Sequence, residues 1–174
     1  METFSQMAQD WAGFFSALAQ VSGGLVGLVF VALTFNVRAL GVGGDPLLGA
    51  LARQTFGDFV ILLLVSLLML VPHTSGANVG VILLGFGAID AIRLGRTLIR
   101  LRRHLRGPSA TWEVLQRFLL SGMAHLMLAV AGIGLIRGSS NSDLIGSLLF
   151  SGVILMLLSG CRSAWLLAIQ EVRQ

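Results

Sequence analysis

The chain has 174 residues, of which 55% are hydrophobic and only 11% are charged, and its net charge of +4 comes from arginine without any lysine. A soluble domain of this size carries about 25% charged residues, so this composition excludes an ordinary soluble protein. Several apolar runs reach the ~20 residues that a helix needs to cross a bilayer. The arginines lie at the ends of these runs, where they contact anionic lipid, so no nucleic-acid partner is predicted.

The apolar runs predict a single all-α domain over residues 1–174, a polytopic transmembrane helix bundle. Five spanning helices are predicted, at about 11–36, 52–71, 79–106, 111–136 and 144–169. The number falls to four if the first run lies along the membrane surface. Glycine and Asp-Pro in GVGGDP predict a loop between the first two helices, and Gly107-Pro108 is predicted to end the third.

The arginines of the short loops predict the orientation. The loops at 36–55 and 100–117 hold seven arginines, and the opposite side of the membrane holds only Arg137. Because positively charged loops stay in the cytoplasm, the N-terminus is predicted outside and the C-terminus inside.

Small residues recur along one face of two predicted helices. The first helix carries Ala12, Ser16, Ala19, Gly23 and Gly27, and the third carries Gly87, Ala91 and Gly95. Small residues let a neighbouring helix approach closely, either within one chain or between chains. They therefore indicate either tight internal packing or a homo-oligomer or membrane-protein partner.

Four polar groups are predicted to share one depth in the bilayer, namely Asp58, Asp90, Arg93 and His125. Counted at ~1.5 Å per residue from the outer helix ends, they lie roughly 17–21 Å deep. An isolated charge at such a depth costs at least ~2.5–3.5 kcal/mol, so these groups are expected to partner one another. Arg93 is expected to pair with Asp90 or Asp58, with His125 nearby. The layer is either a static salt bridge or part of an ion pathway.

The third helix is predicted to continue into the cytosol as a basic face. Its arginines are Arg96, Arg100, Arg102, Arg103 and Arg106. They can extend to the membrane surface and contact anionic lipid or an acidic partner. On a helical wheel the small residues Gly87, Ala91 and Gly95 lie nearly opposite the charged side, which is expected to face the interior of the bundle or oligomer.

Motifs for catalysis, cofactors or metals are not found in the sequence. Ser121 and His125 lie one helical turn apart, but serines in membrane helices usually bond to backbone carbonyls. Cys161 is the only cysteine and is expected to be a small buried residue. The sequence therefore predicts a protein that is not an enzyme, with no cofactor and no metal.

The segment 11–38, WAGFFSALAQVSGGLVGLVFVALTFNVR, resembles the start of a widespread group of small bacterial inner-membrane proteins. The shared pattern is a Trp, paired aromatics, Gly-Leu-x-Phe-Val-Ala and then Asn, and it continues through Arg53, Thr55 and Leu70-Val71-Pro72. The resemblance implies a multi-pass protein of the bacterial inner membrane. Some members carry a label as modulators of a membrane-bound ATP-dependent protease, and the resemblance implies no functional residues.

Three functional hypotheses follow. The first is a non-enzymatic regulatory or structural membrane component that acts through helix–helix assembly and its basic cytosolic face. The second is a homo-oligomeric ion-permeable channel with the polar layer near its pathway. The third is a small transporter, which the absence of an internal repeat disfavours.

Overall fold

The computed structural model describes residues 4–35, 46–72, 74–102, 108–138 and 142–171. These residues form helices without any strand. The helices are α1 (Phe4–Asp10), α2 (Ala12–Phe35), α3 (Pro46–Leu70), α4 (Gly76–Arg102), α5 (Pro108–Ile136) and α6 (Ser142–Glu171). Within the described residues, α2 to α6 each contain a stretch long and apolar enough to cross a membrane. The predicted all-α, multi-pass class is thus confirmed, and α2 is long enough to count among the spans.

Several predicted helix boundaries were wrong, and proline accounts for two of them. We expected a loop over 40–51, but α3 already begins at Pro46, and α5 begins at Pro108 instead of residue 111. Proline lacks an N–H and has a fixed φ, so it fits the first turn of a helix as well as it ends one. The described ends of the other helices agree with the predictions to within three residues. The predicted end of the third helix at 106 lies outside the described residues.

The long helices pack as a ring of four with a fifth helix outside it. Going round the ring, α3 packs against α6, α6 against α5, and α5 against α4, while a smaller contact between α4 and α3 closes it. α2 packs chiefly on α3 and so lies at the edge of the bundle. The apolar core runs through the ring, with Leu62, Leu83, Leu128 and Val153 almost inaccessible to solvent.

Glycines set the closest contacts between the helices. A Cβ atom added to Gly80 would lie 2.5 Å from the carbonyl oxygen of Gly132, and one added to Gly132 would lie 2.8 Å from that of Gly80. A Cβ at Gly160 would lie 2.6 Å from the ring of Phe59. Two backbones can approach as closely as those of Gly80 and Gly132 only where both residues are small, and the ring of Phe59 can lie against α6 only because Gly160 has no side chain. These pairs therefore fix the distance between α4 and α5 and between α6 and α3.

The short helix α1 was not predicted from the sequence. Its Phe4 lies against Gly76 at the start of α4, and its Met7 lies near Gly146 of α6. It therefore covers the end of the bundle where α3 and α5 end and α4 and α6 begin. Trp11, between α1 and α2, extends this contact with its ring centroid 5.5 Å from that of Phe150.

The outer surface of the bundle is apolar. Large exposed hydrophobic side chains occur on every spanning helix, for example Leu28, Leu67, Val81, Leu126 and Leu158. An apolar surface of this extent is expected where lipid is the surrounding solvent. Cys161, which we expected to be buried, belongs to this exposed surface.

Candidate functional site: a buried polar cluster between three helices

Three of the four polar residues singled out from the sequence meet inside the bundle. Asp58 on α3, Asp90 on α4 and His125 on α5 are 1%, 3% and 4% exposed. One oxygen or nitrogen atom of each lies within 4.8 Å of the others. Asp58 lies in the middle of its apolar span, His125 lies six residues after the start of its span, and Asp90 lies three residues before the end of its span. Counting depth from the helix ends thus groups residues that are far apart in sequence.

Two uncharged residues that the prediction omitted complete this polar cluster, which we define as Gln54, Asp58, Asp90, Ser121 and His125. The Nε2 of Gln54 donates to the Oγ of Ser121 at 2.8 Å and to the Oδ1 of Asp58 at 3.0 Å, and lies 3.4 Å from the Oδ1 of Asp90. The Ser121 hydroxyl donates to the Oδ1 of Asp58 at 3.0 Å. Gln54 and Ser121 thus join α3 to α5 across the middle of the ring.

Helical spacing points to both residues, although Ser121 enters the sequence prediction only as a possible nucleophile beside His125. Gln54 precedes Asp58 by four residues, and Ser121 precedes His125 by four, so each pair lies on one face of its helix. An amide or hydroxyl one turn away from a buried ionisable group is a natural hydrogen-bond donor to it.

We expected Asp90 to pair with Arg93 or to leave it to Asp58, but the structure pairs Asp90 with His125. The Nδ1 of His125 lies 3.1 Å from the Oδ2 of Asp90 and 2.8 Å from the carbonyl oxygen of Ser121. Since a carbonyl oxygen only accepts hydrogen bonds, Nδ1 carries a hydrogen in this arrangement. In a neutral ring the lone pair then lies on Nε2.

Ser121, His125 and Asp90 resemble a catalytic triad in composition but differ from it in geometry. In a triad, the serine and the carboxylate bind opposite nitrogens of the imidazole. Here the Ser121 hydroxyl, at 3.5 Å, and Asp90 both approach Nδ1, while Nε2 has no partner. The hydroxyl instead donates to Asp58. The arrangement therefore lacks the relay that activates a serine.

Arg93, which we expected inside the cluster, is exposed. Its guanidinium lies beside α3 because Gly57 leaves room: a Cβ at Gly57 would be 3.0 Å from the Nη1 of Arg93. A long side chain near the end of an apolar span can keep its charged group at the surface, which explains the difference.

The cluster contains two polar atoms that have no hydrogen-bond partner. They are the Oδ2 of Asp58 and the Nε2 of His125, and both are enclosed by protein. Buried polar atoms in folded proteins are nearly always satisfied, so an exception indicates either a cost in stability or an unseen partner.

The basic face is only partly described. Arg96 is exposed. The side chains of Arg100 and Arg102 lie outside what the structure describes, and so do the residues Arg103 and Arg106. The charged side of the third helix was expected to face the interior of the bundle or oligomer. Asp90 does lie inside the bundle. Arg93 and Arg96 are exposed in the single chain, so for them a place in the interior of an oligomer stays a prediction.

Each of the two small-residue stripes contains some residues that pack within the chain and others that are exposed. On α2, the residues Ala12, Ser16, Ala19 and Gly23 are half-buried, whereas Gly27 is exposed. On α4, a Cβ at Gly87 would lie 3.1 Å from that of Ala129 on α5, so Gly87 packs on the same neighbour as Asp90 and not opposite to it. Ala91 is exposed, and Gly95 has open space around it. Each stripe therefore contributes partly to packing within the chain and is partly free.

No protein-family model matches the chain, and no curated protein or solved structure matches it either. The resemblance of the first half to small bacterial inner-membrane proteins therefore stays a prediction. The fold and the cluster define a helical multi-pass membrane protein with polar residues enclosed between three of its helices.

Proposed function

We propose that the protein is a non-enzymatic, regulatory or structural component of the bacterial inner membrane that acts through helix–helix assembly. The observation that carries this proposal is an open glycine face on α2, which we define as Gly13, Gly24 and Gly27. A Cβ added to any of the three would meet no atom within 4 Å. Gly13 and Gly24 are eleven residues apart, which places them on the same face of the helix three turns apart.

The position of α2 supports this proposal. Only 17% of its apolar span is buried in the chain, compared with 50% of the span Gly49–Leu70 in α3. Glycine in the middle of a helix costs roughly 1 kcal/mol relative to alanine, a cost that a close helix contact offsets. A face that packs against an identical face is self-complementary, so a second copy of this chain is the occupant we propose.

The exposed arginines of α4 provide the second part of the proposed function. Arg93 is the last residue of the apolar span of α4, Arg96 follows it, and both are exposed. With the further arginines that follow in sequence, they are suited to bind anionic lipid or an acidic partner at the cytoplasmic surface, with the N-terminus outside and the C-terminus inside.

Self-association of the full chain in liposomes tests this proposal. Cys161 is the only cysteine and is exposed, so it accepts a donor or acceptor dye for energy transfer between copies. We expect Gly24→Leu to weaken association about tenfold by blocking close approach. Gly85→Leu is the matched control, since Gly85 also has no neighbour within 4 Å but lies on α4. Equal association of wild type, Gly24→Leu and Gly85→Leu would refute assembly through α2.

A cation-permeable channel is the second candidate, and the polar cluster favours it. Asp58, Asp90 and His125 all belong to apolar spans, and two of their atoms have no partner. Intramembrane ionisable groups often mark ion pathways. Ion flux separates this candidate from the first, because a channel requires flux and an assembly component does not.

A further inference from the structure

The distances between the side-chain oxygen and nitrogen atoms of the cluster are close to those between the ligand atoms of a metal site. Asp58, Asp90 and His125 each offer one atom that could bind a metal ion, and these three atoms lie within 4.8 Å of one another. Ligands at ~2.0–2.2 Å from an ion are about 3–3.5 Å apart in a tetrahedral site. Closing the cluster around an ion therefore requires side-chain movements of about 1–2 Å, without any movement of the helices.

The atoms without partners provide an independent indication of a ligand. The Oδ2 of Asp58 can only accept hydrogen bonds when ionised, and it receives none. The Nε2 of His125 holds an unused lone pair when Nδ1 carries the hydrogen. A cation can satisfy both atoms and also neutralise the charge of the carboxylates, whereas a water molecule that donates hydrogen bonds to both atoms leaves that charge in place.

The charge of the cluster also favours a divalent ion. Two carboxylates share the enclosed space, and the guanidinium of Arg93 stays outside it against Gly57. Two like charges close together in an apolar interior disfavour each other strongly, and a cation between them removes that conflict. A doubly charged ion balances Asp58 and Asp90.

The ligand types narrow the identity of the ion. Two carboxylates and an imidazole suit divalent transition metals such as Zn²⁺ and Mn²⁺. Ca²⁺ takes six to eight oxygen ligands, and Mg²⁺ keeps most of its water, so neither suits a small enclosed site with a histidine. Gln54 and Ser121 hold the carboxyl of Asp58 in place, which is the role of residues just outside a metal's ligands.

We propose that Asp58, Asp90 and His125 bind one divalent transition-metal ion inside the bundle, with Gln54 and Ser121 orienting Asp58. The sequence contains no metal motif because the three ligands are spread over three helices. This inference does not depend on assembly through α2, so either can fail without the other.

Metal binding by the full chain in lipid nanodiscs tests the proposal. After removal of metal with a chelator, the protein is titrated with Zn²⁺ in competition with a chromophoric chelator. We expect one Zn²⁺ per chain, and a rise in the midpoint of thermal unfolding as Zn²⁺ increases. Asp58→Asn and His125→Gln are expected to weaken binding by about 100-fold or more. Asp143→Asn, which alters an exposed carboxylate at the start of α6, is expected to bind like the wild type.

A second measurement needs no variant and so does not depend on how the variants fold. Mn²⁺ bound to the wild-type protein is expected to show hyperfine coupling to an imidazole nitrogen in pulsed electron paramagnetic resonance. Absence of stoichiometric Zn²⁺ binding, or Mn²⁺ without nitrogen coupling, would overturn the proposal. Zn²⁺ binding that is as tight in His125→Gln as in the wild type would overturn it too, since the ion would then be held without His125.

Discussion

The close contact between α4 and α5 at Gly80 allows the stability loss of a substitution to be estimated from distances in the structure. In Gly80→Ala, the new Cβ atom would lie 2.5 Å from the carbonyl oxygen of Gly132 and 2.9 Å from the Cγ1 of Ile136. A carbonyl oxygen in a helix cannot move aside alone, so the two helices must separate by roughly 1 Å to reach ordinary contact distance. Overpacking of this kind costs about 1–3 kcal/mol. Alanine is about 1 kcal/mol better than glycine in a helix, so the expected net loss is about 0–2 kcal/mol.

A matched substitution on the same helix isolates the steric effect. Gly85 is exposed and has no neighbour within 4 Å, so Gly85→Ala changes helix propensity without a clash. Unfolding is followed by circular dichroism during titration of a mild detergent with sodium dodecyl sulfate. We expect Gly80→Ala to be less stable than Gly85→Ala by about 1–3 kcal/mol. If Gly80→Ala proved as stable as Gly85→Ala, the close approach of α4 and α5 would be wrong.

Three further substitutions are tested by the same unfolding assay. Ser121→Ala removes one of two donors to the Oδ1 of Asp58, the other being Gln54, and is expected to cost about 1 kcal/mol; an unchanged stability would show that the Ser121 hydroxyl does not stabilise the cluster. Gly57→Ala is expected to change stability by less than about 0.5 kcal/mol, because the atom 3.0 Å away is the end of the flexible Arg93 side chain; a large loss would mean that Arg93 is held rigidly. Trp11→Ala removes ring contacts at 5.5 and 5.7 Å and is expected to cost about 1–3 kcal/mol; an unchanged midpoint would show that these rings do not stabilise the bundle.

The existence of the spanning helices could be predicted because bilayer thickness imposes a minimum length on each apolar run. The prediction missed α1 because a helix of seven residues has too few turns to show a periodic pattern. Its place is set by contacts of Phe4 and Met7 with residues far away in sequence. The early start of α3 was missed because Pro46 can either end or begin a helix, and sequence alone does not decide between them.

The candidate site could be predicted in part because depth depends only on the rise per residue. Counting from helix ends places Asp58, Asp90 and His125 at similar depths, and the structure brings them together. The direction of a side chain and its reach were not predictable in this way. Arg93 shares the depth but ends at the surface, whereas Ser121 is uncharged and contributes a central hydrogen bond.

The sequence also did not show which glycines make the closest contacts between helices. The sequence stripes on α2 and α4 indicate small faces but do not indicate which neighbour covers them. Gly80 and Gly132, which make the closest approach, belong to neither stripe. Pairs of this kind depend on the register between two helices, which no pattern within a single helix determines.

Ion flux into liposomes tests the central claim most directly, namely that the polar cluster is an enclosed site and not an ion pathway. Liposomes holding the purified full chain carry a proton-sensitive dye and a potassium gradient, beside protein-free liposomes and liposomes with Asp58→Asn or Asp143→Asn. We predict that wild-type liposomes leak no faster than protein-free ones. Flux that grows with the amount of protein, and that changes with Asp58→Asn but not with Asp143→Asn, would contradict the account and place the cluster in an ion pathway.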